Sequence, residues 1–249
     1  MKKKKIIGII PARLSSTRLP NKVLLKIGDR PILWHVYNRA KKAKLLDDLI
    51  VACDDILIKK EMESFNIPCI LTSKDCKSGT DRVAETAQTL KSDIYINIQG
   101  DEPFIHPANI DKICNCFLQE PEVRIVTLCT LFKDINEEKD PNNVKVVFDK
   151  KGWALYFSRS LIPFNRNDIK IKRFKHLGIY GYERETLLSL SKIPVSNLER
   201  YEKLEQLRFL EWGLKIRVIV SPYDSYGIDT KQDLIKARKI FKIQNKIRT

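Results

Sequence analysis

Two short segments of this 249-residue chain concentrate side chains able to handle phosphate. The first is Pro11-Ala12-Arg13-Leu14-Ser15-Ser16-Thr17-Arg18-Leu19-Pro20-Asn21-Lys22, which sets cations and hydroxyls between two stiffening prolines. Arginine offers forked donors that match phosphate oxygens, and lysine adds a compact point charge beside them. The second is Asn97-Ile98-Gln99-Gly100-Asp101-Glu102-Pro103, where Gly100 lets a ligand come close and Asp101 offers a carboxylate. Such a carboxylate can hold Mg²⁺, which takes one or two carboxylates and fills its shell with phosphate oxygens. Each segment alone also reads as ordinary: a solvated basic loop, and a turn whose Asp bonds its own backbone. Together, at one end of a sheet, they favour a metal–polyphosphate ligand. There is no G-x-x-x-x-G-K-[ST] and no G-x-G-x-x-G, so neither a P-loop nor a dinucleotide fingerprint is present.

Two further carboxylates stand out. Tyr201, Glu205, Phe209 and Trp212 recur at helical spacing, which would set Glu205 in an aromatic stripe where its charge needs a partner or a ligand. Thr230 with Asp233 makes a capping-box-like helix start. Asp229 then lies just outside that helix, where it either complements the positive helix end or serves as a second metal ligand. Nucleophilic hydrolysis finds no support. His35, His106 and His176 form no H-E-x-x-H, and no G-x-S-x-G elbow exists.

The elements that must position these residues follow from hydrophobic periodicity. Ile6–Ile10, Leu49–Ala52, Pro68–Leu71 and Ile94–Ile98 read as short buried strands, with helices at Pro31–Leu45, Ile56–Phe65 and Asp81–Lys91 between them. That alternation predicts an α/β fold with a mostly parallel central sheet and helices on both faces. After a helix at Pro107–Gln119, the segments Val123–Phe132, Val144–Asp149, Ala154–Ser158 and Lys175–Tyr182 are strand-like, which predicts mixed or antiparallel additions. Helices return at Arg184–Leu190, Leu198–Trp212 and Lys231–Lys242, with a strand at Ile216–Val220. No repeat or linker interrupts residues 1–249, so a single domain is expected. In an open α/β sheet, ligands bind beyond the carboxyl ends of the strands, where both loops fall.

Bulk properties narrow the class. With 46 Lys+Arg against 31 Asp+Glu the net charge is +15, and basic clusters crowd both ends: Lys2 to Lys5, then Lys236, Arg238, Lys239, Lys242, Lys246 and Arg248. Such clusters could meet nucleic acid. The C-terminal set, however, follows a helix with an apolar side of Leu234, Ile235, Ala237, Ile240, Phe241 and Ile243, so a solvated face is the simpler account and no nucleic-acid partner is expected. The opening lysines and Ile6–Ile10 lack the length and cleavage site of a signal peptide, and no apolar run suffices for a membrane span. Cys53, Cys69, Cys76, Cys114, Cys116 and Cys129 show neither C-x-x-C nor zinc spacing, which fits free thiols in a reducing cytoplasm.

The cationic loop resembles the signature of sugar-activating cytidylyltransferases. Further runs narrow the likeness: Ser78-Gly79-Thr80-Asp81-Arg82, Gln99 to Pro103, Asn142-Asn143-Val144-Lys145-Val146-Val147, Ala154-Leu155-Tyr156-Phe157-Ser158-Arg159, His176 to Tyr182, Leu204-Glu205-Gln206-Leu207-Arg208 and Ile228-Asp229-Thr230. In that order they resemble the 3-deoxy-manno-octulosonate (Kdo) cytidylyltransferase family, over residues 6 to 238. The resemblance implies a nucleotide-diphospho-sugar-transferase-like fold, a homodimer, and conversion of CTP and Kdo to CMP-Kdo and diphosphate with Mg²⁺, for lipopolysaccharide synthesis. It implies that Ala12, Arg13, Arg18 and Lys22 bind the nucleotide with Ser78, Gly79 and Arg82. It further implies that Asp101 and Asp229 hold magnesium, and that Gln99, Arg159, His176, Tyr180, Glu205 and Gln206 line the Kdo site, Arg159 facing the sugar carboxylate. Arg13, Arg18, Lys22 and Asp101 would be catalytic, with Lys22 expected as an exposed loop lysine. The chain departs from the family pattern at Asn21, where Gly is usual, at Val23, where Pro is usual, and at Cys53, where Thr is common. Another ulosonic acid, a sialic acid or 8-amino Kdo, is the nearest alternative substrate. A basic nucleic-acid-binding protein is the alternative from another class.

Overall fold

The computed structural model describes residues 4–16 and 18–246. Lys2, Lys3, Thr17 and Arg248, named above, lie outside them. In chain order the elements are β1 (Ile6–Ala12), a 3-10 turn (Lys22–Leu24), β2 (Lys26–Ile27), β3 (Arg30–Pro31), α1 (Ile32–Ala40), β4 (Asp48–Cys53), α2 (Ile56–Glu63), β5 (Cys69–Leu71), α3 (Gly79–Thr89), β6 (Ile94–Asn97) and α4 (Pro107–Gln119). The second half holds β7 (Ile125–Leu131), α5 (Ile135–Lys139), β8 (Lys145–Phe148), β9 (Ala154–Ser158), β10 (Phe174–Glu183), α6 (Arg184–Leu190), α7 (Asn197–Glu202), α8 (Gln206–Glu211), β11 (Arg217–Val220) and α9 (Lys231–Lys246).

Among the described residues, nine strands join one sheet whose main path runs β11-β7-β10-β6-β1-β4-β5, with β8 attached to β10 and β9 to β8. The pairs β1–β4, β1–β6, β4–β5 and β7–β11 are parallel. β10 runs antiparallel to β6, β7 and β8. β1 is apolar on both sides because both sides are covered. Ile6 and Ile10 enter the layer shared with α1 and α4, while Ile7 and Ile9 enter the layer with α3 and α6. Local signals start the helices where they begin. Asp55 caps α2 by accepting from the Leu57 amide, Ser78 and Asp81 form a reciprocal capping box on α3, and Pro107 opens α4. No helix among the described residues is long and apolar enough to cross a membrane.

The alternation and the mixed additions follow the sequence reading, with three corrections. The helix expected over Pro31–Leu45 ends at Ala40, and the amides of Lys44 and Leu45 donate instead to Asp111 Oδ1 on α4. The helix expected over Leu198–Trp212 is two helices, broken where Lys203 takes a left-handed conformation (φ 54°). The aromatic stripe dissolves with it: Tyr201 is 79 % exposed and Trp212 57 %, while Phe209 is buried. The apolar side of α9 is also narrower than its pattern, since Leu234 and Ala237 are buried but Ile235 and Ile243 face solvent.

The seam between α4 and β10 is tight. A Cβ on Gly181 would stand 2.6 Å from Phe117 and closer still to Ile113. Gly181→Ala should therefore lower stability by about 1–3 kcal/mol through overpacking, read as a lower midpoint in chemical denaturation. An unchanged midpoint would show that α4 moves away at no cost.

Candidate active site

From β1 the sheet grows in both directions, through β4 and β5 on one side and β6 on the other. The carboxyl ends of β1 and β6 therefore flank the crevice that such a reversal opens. The cationic loop leaves β1 there and the Gln99–Pro103 loop leaves β6. A Cβ on Gly100 would lie 2.7 Å from the Pro11 carbonyl oxygen, so only glycine lets these loops touch. A cleft of about 280 Å³ opens between them, lined by Ala12, Arg13, Arg18, Lys22, Ser78, Gly79, Arg82, Gln99, Asp101 and Asp229. Every residue that the resemblance assigned to nucleotide or metal is in this set. Ser16, Cys76 and Lys77 also line it and were not singled out as site residues from sequence, although each lies within two positions of one that was.

Charge is organised around Lys22. Its Nζ donates to Asp101 Oδ2 at 2.5 Å and to Asp229 Oδ1 at 2.9 Å, and Arg18 Nη2 reaches Asp229 Oδ2 at 3.0 Å. Lys22 is thus no exposed loop lysine: its side chain is 13 % exposed, pulled inward by two carboxylates. Burial alone would lower its pKa, but Asp101 and Asp229 outweigh burial and hold it above the usual lysine value. Burial likewise pushes the Asp229 carboxyl up, and Lys22 and Arg18 more than reverse that. The 3-10 turn that carries Lys22 begins from Asn21 at φ 53°, a conformation that suits glycine and that Asn tolerates. Asn21 therefore supplies the bend where the family has Gly, and Val23 is buried beside it. Two carboxylates converging on one cationic atom also suit Mg²⁺ with substrate oxygens completing its shell. No group of three or more His, Cys, Asp or Glu among the described residues could hold an ion by itself.

Arg82 and Arg159 are both committed to protein partners. Arg82 donates to Thr72 Oγ1, the Ser73 carbonyl and Asp54 Oδ2, while Asp54 Oδ1 accepts the Leu14 amide. Arg82 thereby braces the cationic loop from behind. Arg159 donates from Nε to the Glu202 carbonyl at 2.7 Å and from Nη1 to the Pro141 carbonyl at 2.9 Å.

The remaining residues assigned to the sugar form a continuous wall. Glu205 accepts from Thr80 Oγ1 at 2.9 Å and from Arg208 at 3.3 Å, and burial pushes its carboxyl pKa up against both. Tyr182 lies beside Thr80 and stacks on Tyr180, whose ring meets that of His176 at 5.4 Å. Burial pushes the His176 imidazole down to about 3, so it is neutral, with Thr127 Oγ1 3.0 Å from Nε2. Gln99 donates to the Gly178 carbonyl. Asn97 Oδ1, the Tyr180 hydroxyl and Gln206 Nε2 are buried without a hydrogen-bond partner, and Asn97 stands directly across the ladder from Tyr180. Buried polar atoms are rarely left unpaired, so this wall is suited to a hydroxyl-rich ligand. Asn97 was missed, though a polar residue closing the apolar run Ile94-Tyr95-Ile96 was a legible signal.

A reversed sheet with a cationic loop and paired carboxylates at its crevice is the arrangement of a nucleotidyltransferase. A family profile described as cytidylyltransferase matches residues 7–216. The 3-deoxy-manno-octulosonate cytidylyltransferase of Solibacter usitatus is 48 % identical over 240 residues, covering 96 % of this chain and 95 % of that one. That of Geobacter sulfurreducens is 44 % identical, covering 93 % and 97 %. A solved structure of CMP:2-keto-3-deoxy-manno-octonic acid synthetase complexed with CTP is 39 % identical, with TM-score 0.93, over 96 % of this chain and 99 % of that one. The chain belongs to the 3-deoxy-manno-octulosonate cytidylyltransferase family.

The ion cluster predicts a pH window. The Lys22 contribution to stability is complete below its ordinary value of 10.5 and fades as pH rises through its raised folded value. The Asp229 contribution is complete above 3.8 and fades as pH falls through its lowered one. Lys22→Ala should therefore be less stable than wild type by a gap that is flat between those limits and closes outside them. Adding Asp229→Asn should recover part of the loss. A gap in denaturation midpoint that persists near pH 2 would overturn this account.

Proposed function

We propose that this cleft transfers CMP from CTP to the anomeric hydroxyl of Kdo, releasing diphosphate and feeding lipopolysaccharide synthesis. The observation that carries the reading is Lys22 held between Asp101 and Asp229 at the mouth of β1 and β6. The Kdo hydroxyl oxygen forms a bond to the α-phosphorus, the bond from that phosphorus to the diphosphate oxygen breaks, and the hydroxyl proton is released. Such transfer depends on positioning and on neutralising charge that develops on the phosphoryl and leaving oxygens. Arg13, Arg18 and Lys22 supply cations to the triphosphate, and α3 brings its positive end to the cleft at Gly79. Asp101 and Asp229 would hold Mg²⁺, which when bound adds Lewis-acid polarisation and charge neutralisation. Gln99, Arg159, His176, Tyr180, Glu205 and Gln206 orient the sugar. With its pKa lowered by burial, His176 adds no charge to the wall.

The reading includes a homodimer and a cytoplasmic location. Phe164 is 84 % exposed and Ile169 62 %, an apolar display that a second copy would cover. All six cysteines are free thiols, in keeping with a reducing compartment. Light scattering that returns the mass of one chain would remove the dimer from this reading.

Incubation with CTP, Mg²⁺ and a panel of ulosonic acids tests the reaction, with Kdo expected to release diphosphate fastest. Release only with a sialic acid or 8-amino Kdo would move the substrate and keep the class. Salt-sensitive RNA or DNA binding without turnover would replace the enzyme with a nucleic-acid-binding protein. Asp101→Asn and Asp229→Asn should each greatly reduce turnover and raise the Mg²⁺ needed for half-maximal rate. Their effects should be less than additive in the double variant, because both act on one cluster.

A further inference from the structure

A knot of charged groups lies outside the lining of the cleft. Glu202 closes α7, and its carboxylate accepts Ser158 Oγ at 2.6 Å on Oε1 and the Arg159 amide at 2.8 Å on Oε2. Its carbonyl accepts Arg159 Nε at 2.7 Å, and Arg159 Nη2 reaches the Lys203 carbonyl at 3.5 Å. From the other side, Lys145 is wholly buried and donates from Nζ to the carbonyls of Asp140 at 2.8 Å and Arg159 at 2.9 Å. A guanidinium, an ammonium and a carboxylate are thus spent almost entirely on backbone. Burying charge for that purpose is a poor source of stability, since apolar side chains of similar size serve as well. What it fixes is conformation.

The conformation fixed is the break between α7 and α8. Lys203 sits there in the left-handed region, which disfavours every residue but glycine and its near tolerators. The chain leaves the break through Leu204 directly into Glu205 and Gln206, which form the end of the sugar wall. On the opposite side, the knot grips the Ser158 end of β9, the strand that pairs with β8 and is tied at its start by the Ala154 amide to the Ile216 carbonyl. We infer that Glu202 and Lys145 are positioning residues that set Glu205 and Gln206 by clamping Arg159 across this break. The inference rests on the sugar-transfer reading for its kinetic consequence and on geometry alone for its structural one. It adds membership of the clamp, through Nε, Nη1 and Nη2, to the part expected of Arg159 at the sugar carboxylate.

Hydrogen exchange and steady-state kinetics on the full chain separate the two. In Glu202→Ala, amides of residues 203–207 should exchange about tenfold faster than in wild type, without any substrate present. The KM for Kdo should rise about tenfold or more, while the KM for CTP stays within about twofold. Glu202→Gln, which keeps acceptor and shape, should recover part of both effects. Ser158→Ala removes a single bond to the same carboxylate and should shift both in the same direction by less, which keeps the test intact if Glu202→Ala is too unstable to assay. Unchanged exchange at 203–207 overturns the inference, as does a parallel rise in KM for both substrates. Altered exchange in a protein whose wild type ignores Kdo supports the clamp and counts against the sugar-transfer reading alone.

Discussion

The backbone of Gly100 rests against the Pro11 carbonyl, leaving no room even for a methyl group. That contact sets the spacing between the ends of β1 and β6, and three distant segments inherit it. The Ile228 amide donates to the Asp101 carbonyl, which places Asp229 beside Asp101. The 3-10 turn after the cationic loop then brings Lys22 between the two carboxylates. Without the close approach, each carboxylate would face solvent separately and the ammonium could serve one at most.

The charges so gathered are largely balanced before substrate arrives. Lys22 and Arg18 face Asp101 and Asp229, and the cluster carries little net field despite the chain's overall +15. A polyanion entering with a divalent cation would replace like with like: phosphates would take up the ammonium and guanidinium, and the cation would take up the carboxylates. Neither partner need leave a buried charge unpaired, which is where the largest electrostatic cost would fall. The sugar wall follows a different principle, with uncharged or reluctantly charged groups such as His176 and Glu205 and unpaired polar atoms.

The sequence made the first half of this legible because its signals are local. Alternating apolar runs located β1, β4, β5 and β6, and residue type plus loop position located Arg13, Lys22 and Asp101. The capping pair Thr230 and Asp233 was equally readable, and the Asp233 carboxylate does accept from Thr230. What stayed hidden depends on contacts between remote segments. The early end of α1 answers to Asp111, the break at Lys203 is held by Arg159, and the inward pull on Lys22 comes from residues 79 and 207 positions away. Helical periodicity runs smoothly from Leu198 to Trp212 and carries no mark of the interruption. The motif resemblance assigned Glu205 and Gln206 to the sugar site, whereas periodicity set Glu205 in an aromatic stripe that the break dissolves.

β10 runs against its neighbours, and this one reversal divides the molecule's capacity for change. In a wholly parallel sheet, only loops at strand ends would reach the crevice, and any new acceptor would have to be met by rebuilding loops that also hold the nucleotide. The antiparallel strand instead carries His176 and Tyr180 along its ladder with β7, on either side of a register shift between Leu177 and Tyr180. Exchanges there can retune which acceptor fits, with the donor-handling loops of β1 and β6 left as they are. The fold thereby separates inheritance of the activation chemistry from diversification of what is activated.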